Sequence, residues 1–190
     1  MNQKFFLRFV AISLIISVTA LLRLVPHFPN FSPLGAICRF GAAHFSNKIQ
    51  VYIVPLLAIW ISDILVNNLI YSEYFNHFTI FYDGFYWQYG SYLLIVFFST
   101  FTLKNQNSIK IICSAIGAAL PFFLVSNFGV WASGNMYPNN FSGLMTCYIA
   151  GIPFIKGTII SNIIFSVILF GGFSLLENRY SILKPLKTID

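Results

Sequence analysis

VYIVPLLAIWISDILVNNLIY, residues Val51–Tyr71, carries one charged side chain, Asp63, in an otherwise apolar run. About 20 such residues are what an α-helix needs to cross the hydrocarbon core of a bilayer. The acid is therefore the informative residue. At the centre of a spanning helix it costs at least about 2.5–3.5 kcal/mol on insertion scales, and it is kept where it faces a bundle interior or a water-filled cavity. Trp60, Asp63 and Asn67 fall at i, i+3 and i+7 and share one helical face. Two readings of Asp63 stay open. It is a ligand, proton or cation site, or it is an interhelical cap with Arg39 or Arg23 as counter-charge.

The rest of the chain has the same character. Of 190 residues 57% are hydrophobic and 8% charged, and mean hydropathy is +0.77. Soluble domains carry about 25% charged residues, so a soluble enzyme and a disordered tail are both excluded. The 11 basic and 5 acidic residues give +6, but the cations are scattered singly between apolar runs. Nucleic-acid binding wants a clustered basic stripe. The three cysteines, Cys38, Cys113 and Cys147, lie far apart with no metal-ligand or disulfide spacing. HExxH, GxSxG, P-loop and GxGxxG motifs are missing as well. The expectation is an all-α integral membrane protein, one transmembrane domain over residues 1–190. It has the lipid bilayer as its first partner, no nucleic acid, no metal, no cofactor and no catalysis.

Around Val51–Tyr71 further spans are predicted at Phe5–Val25, Phe85–Leu103, Ile109–Trp131 and Gly157–Leu176, with shorter apolar segments at Leu34–Ser46 and Leu144–Phe154. Seven spans with the amino end inside would strand the basic tail (Arg179, Lys184, Lys187) outside. If Leu144–Phe154 is a re-entrant or interfacial segment, about six transmembrane helices remain and the tail comes inside, as the positive-inside rule prefers. This places the protein in the inner (plasma) membrane with a cytoplasmic amino terminus.

An internal repeat organises the candidate site. FPNFS (Phe28–Ser32) recurs as YPNNFS (Tyr137–Ser142), and ISDILVN (Ile61–Asn67) recurs as ISNIIFS (Ile160–Ser166). The halves would be residues 5–71 and 109–176, joined by a helix at 85–103. Asn162 then takes the place of Asp63. Proline-broken backbone at membrane depth is tolerated where protein or a cavity satisfies it. Arg23, His27 and Asn30 at the first connector are therefore expected to cap the bundle. Asn127, Trp131, Tyr137 and Asn139 at the second are interfacial belt residues or a lid over a flat ligand. Arg39, inside a short apolar segment, is expected to pair with Asp63, with anchoring of an anionic ligand group as the alternative. The ligand-binding candidates are thus Asn30, Arg39, Asp63, Asn67, Asn127, Trp131, Tyr137, Asn139 and Asn162. Small residues at Cys38–Ala42–Ser46 and Ala115–Ala119 form stripes on which a partner helix can dock.

RLVPHFPNFSP, Arg23–Pro33, resembles the hallmark of an uncharacterised family of small bacterial membrane proteins. The likeness extends through Asp63, Trp131–Pro138 and Pro153-Phe154, and departs at Ser161-Asn162, where the family pattern reads Gly-Asp. At one remove the layout is similar to the substrate-binding S components of energy-coupling-factor transporters. That similarity implies a small-molecule ligand near the outer face and a partner membrane subunit driven by ATPases. A small-solute-binding transport subunit is the first expectation. A non-catalytic scaffold or assembly factor is the second, and an intramembrane enzyme the third. A cavity favours the first; a closed core with Asp63 on Arg39 favours the second.

Overall fold

The computed structural model describes residues 3–75, 77–134 and 136–184, and all regular structure among them is helical. Lys187, counted above in the basic tail, lies outside the described residues. α1 (Gln3–Leu21) runs into a 3-10 turn at Leu22–Leu24 and stops ahead of Pro26 and Pro29, which have no backbone donor to offer. α2 (Leu34–His44) has 11 residues, roughly 16 Å at 1.5 Å per residue. α3 (Lys48–Leu65) starts at Asn47, whose side chain accepts from the Ile49 N–H, and ends in a π turn at Val66–Ile70. After an aromatic loop comes α4 (Phe85–Thr102). α5 (Ser108–Gly117) and α6 (Ala119–Ala132) form one rod, interrupted at Ala118. The interruption has a cause: Pro121 lacks the N–H that the Gly117 carbonyl would receive. α7 (Phe141–Ser166) continues through a second π turn, Val167–Gly171, into α8 (Gly172–Arg179).

Among the described residues, four stretches are long and apolar enough to cross a membrane: Gln3–Leu24, Lys48–Ile70, Ser108–Ala132 and Phe141–Arg179. Their outward residues are apolar, as at Leu14, Val18, Ile53, Leu57 and Ile61, all about half exposed or more. Ser62, Asp63, Asn67, Ser161, Asn162 and Ser166 are buried. Polar inside and apolar outside is the pattern of a bundle solvated by lipid.

Length and composition show four of the six expected spans among the described residues. Leu144–Phe154 is not a separate re-entrant segment; with Gly157–Leu176 it belongs to a single rod, Phe141–Arg179. Pro153 sits inside α7 without ending it. In the first half Asn47 caps a fresh helix, whereas Phe154–Gly157 offers no capping side chain. The break between α2 and α3 therefore has no counterpart within α7. What recurs is local: each ISxI motif leads into a π turn.

α2 is the centre of the molecule and touches α1, α3, α4 and α7. Gly41 allows the approach of α3, since a Cβ there would lie 2.5 Å from Pro55 Cγ. The small-residue stripes lie largely inside the bundle, with Ser46 exposed. Cys38, Ala115 and Ala119 are buried inside the chain, Ala42 is half-buried, and Ser46 lies beyond the end of α2. With four helices around it, α2 uses its small residues to seat its own neighbours.

Candidate solute-binding cavity

Two adjoining cavities lie beneath the first connector. The larger has a volume of about 820 Å³ and the smaller about 410 Å³, and Arg23, Val66, Tyr71 and Gln88 line both. Arg23 leaves the 3-10 turn at the end of α1 and reaches across to α3. Its Nη1 donates to Asp63 Oδ1 at 2.5 Å and to Ser62 Oγ at 2.9 Å. From α4 the Tyr89 hydroxyl donates to Asp63 Oδ2 at 2.7 Å. The carboxylate, with a side chain 5% exposed, is thus held by three helical elements. Such charge-assisted bonds are about twice as strong as neutral ones. The geometry matches the interhelical cap, with Arg23 as the counter-charge.

The π turn following α3 sets the next residue. Tyr71 N–H donates to Val66 O at 3.0 Å, a one-residue widening that recurs at functional sites. Asn67, within the turn, lines the smaller cavity beside Asp63. Across it, Gln88 Oε1 accepts from Tyr82 at 2.8 Å and from Tyr92 at 3.5 Å. Burial, and then the Asp63 charge, push the Tyr82 phenol above its ordinary pKa, so it stays a donor. On the far wall of the larger cavity Asn162 donates to Ala115 O at 3.2 Å. It lies flat on Gly35, where a Cβ would sit 2.3 Å from its Oδ1. The connector meets α7 as closely, because a Cβ on Gly157 would lie 2.7 Å from Pro29 O.

Of the sequence candidates, Asn30 and Asn162 line the larger cavity, and Asp63 and Asn67 the smaller. Asn30 takes a left-handed backbone, φ 56°. The other five are elsewhere. Arg39 does not pair with Asp63. It is fully buried in α2 and donates to Ser166 Oγ, to Ile111 O at 2.5 Å and to Ser114 Oγ at 2.8 Å, with Phe170 beneath its guanidinium. Those groups belong to α5, α7 and the second π turn, so the side chain points away from α3. Asn127 donates to Phe123 O within α6 and lies against Gly151 of α7. Trp131 donates to Pro138 O at 3.0 Å, and Asn139 lies over Gly134. Trp131 and Asn139 thus fasten the second connector, and neither they, Asn127 nor the half-buried Tyr137 line either cavity.

Sequence reasoning passed over Tyr82, Gln88, Tyr89 and Tyr92. A signal existed: Gln88 is a lone amide in the aromatic run FYWQYGSY, one helical turn before Tyr92. Among the described residues no three His, Cys, Asp or Glu side chains come together to hold a metal ion.

No curated protein and no solved structure matches this chain. Residues 3–184 match a family of unknown function, in agreement with the resemblance to an uncharacterised family carried by Arg23–Pro33. With nearly its whole length inside that match, the chain belongs to DUF6580.

Proposed function

We propose that this chain is a small-solute-binding subunit of a membrane transport system, holding its ligand in the cavity beneath the first connector and performing no catalysis itself. The observation that supports this is the cavity of about 820 Å³, within the range of roughly 300–1,000 Å³ typical of ligand sites. Its walls combine apolar side chains (Ile95, Phe122, Phe154) with a few polar ones (Arg23, Gln88, Asn162). A concave, partly open site of this size with a mixed lining is the form that small-molecule sites take. One observation favours a scaffold instead: both Asp63 oxygens are engaged within the chain. A scaffold gives the cavity no role, and we place it second. The reading keeps the inner membrane and a cytoplasmic amino terminus, supported by Lys4 and Arg8 at the head of α1. A transporter subunit with ATPases would dock on the outer faces of the bundle, since Cys38, Ala115 and Ala119 of the small-residue stripes are buried.

The test is thermal unfolding in lipid nanodiscs against a panel of vitamins, nucleobases, amino acids and organic acids. A ligand at 100 times its Kd adds about 2.7 kcal/mol. At least one solute should stabilise the native chain and fail to stabilise Thr158→Phe, which fills the larger cavity from its wall. A panel that leaves the native chain unmoved contradicts the proposal.

A further inference from the structure

The two cavities present an uneven set of hydrogen-bonding groups. Arg23 uses Nη1 alone for Asp63 and Ser62, which leaves Nη2 and Nε without an acceptor among the described residues. Gln88 uses its Oε1 for two tyrosines, which leaves its NH2 group free. Asn67, on the smaller cavity, is 7% exposed, and its Nδ2 is buried with no partner among the described residues. Ser32, on the wall of the larger cavity, likewise has a buried Oγ with no partner. α2 begins on the same wall, at Leu34 and Gly35, with no side-chain cap. Its first N–H groups therefore lack helical acceptors and carry the positive end of the helix dipole. The carboxylate, by contrast, has a donor on each oxygen.

From this excess of donors, with Arg23 and Gln88 shared by both cavities, we infer that the site selects an acceptor-bearing monoanion with an apolar body, an amphipathic monocarboxylate. Buried donors left without acceptors are unfavourable, and a carboxylate offers about four acceptor sites on two oxygens. One negative charge is the limit the site supports. A single guanidinium, already shared with Asp63, stands against it, so a phosphate dianion is poorly matched. Tyr71, Tyr92 and Phe122 supply walls for a flat or chain-like apolar body. The Arg23 charge and the free amide donors disfavour a cationic amine, which would also have to compete with Arg23 for Asp63.

The inference rests on the solute-binding reading, and the experiment separates the two. Phenylacetate, phenylpropionate and phenylbutyrate, each with its primary amide and its amine, are titrated against the native chain in nanodiscs, with thermal unfolding and calorimetry as readouts. At least one acid should bind on the order of tenfold more tightly than its amide, and no amine should bind. Asn67→Leu removes an unpartnered donor and breaks no bond, so it should fold and weaken that acid. Arg23→Gln with Asp63→Asn removes both charges together and should erase the preference for acid over amide. Trp131→Phe, outside the cavity, should leave it intact. The ligand class is overturned if amines bind as well as acids, if no acid binds, or if the charge-free double variant keeps the preference. In each case solute binding still stands if any member of the wider panel stabilises the native chain. Silence across every panel removes both.

Discussion

The molecule buries two arginines in two different ways. Arg23, at the end of α1, meets a carboxylate and faces a cavity; Arg39, in the middle of α2, meets hydroxyls, a carbonyl and an aromatic face, with no carboxylate among the described residues. The Arg23 pair is therefore a true charge pair, where loss of either partner leaves the other uncompensated. The Arg39 cluster is more forgiving. Ser166 already donates to Asn162 O and Ser114 to Ile111 O, so each hydroxyl keeps a carbonyl if the guanidinium is removed. The difference teaches where exchange is possible: a cation whose partner sits at a cavity wall can be reached by a ligand, whereas a fully enclosed one holds helices together.

Arg23→Met breaks the comparison hardest. It leaves Asp63 buried without a counter-charge and should cost about 3–5 kcal/mol, with most of the loss restored when Asp63→Asn is added. Unfolding of the two single variants and the double variant measures that coupling. Next comes Tyr89→Phe, which removes one donor to the same carboxylate and should cost about 1.5–3 kcal/mol in the same assay. Arg39→Met should cost less than Arg23→Met, because it removes the buried charge with its desolvation penalty and strands no opposite charge. A loss as large as that of Arg23→Met would show that Arg39 meets a charge after all. The smallest effect belongs to the second connector. Trp131→Phe removes a bond to Pro138 O and should cost about 0.5–1 kcal/mol, with ligand-induced stabilisation unchanged.

The sequence was legible where periodicity and proline speak for themselves. Val51–Tyr71, the first connector and the rod ending at Trp131 all follow from an apolar run or a withheld backbone donor. So does the inward position of Asp63, whose cost forces it off the lipid face. α7 differed because Leu144–Phe154 is short and set apart by the positive-inside count, whereas the absence of a new cap after Pro153 lets the helix continue. Pairing was less legible still. Arg23 and Arg39 are both within plausible reach of Asp63 in sequence terms, and only the burial of α2 among four helices turns Arg39 towards α5 and α7. Two recurring connector motifs suggested equal roles, yet one roofs a cavity and the other is fastened by Trp131 and Asn139. The tyrosines around Gln88 were hidden because aromatic residues near a helix end read first as interfacial belt.

Native mass spectrometry of the chain, gently extracted from its host membrane and compared with Thr158→Phe, tests the central claim most directly. The account predicts a small molecule retained on the native chain and absent from the filled variant, with lipid adducts equal in both. A native chain that carries no small molecule, or a small molecule retained equally by Thr158→Phe, would contradict it.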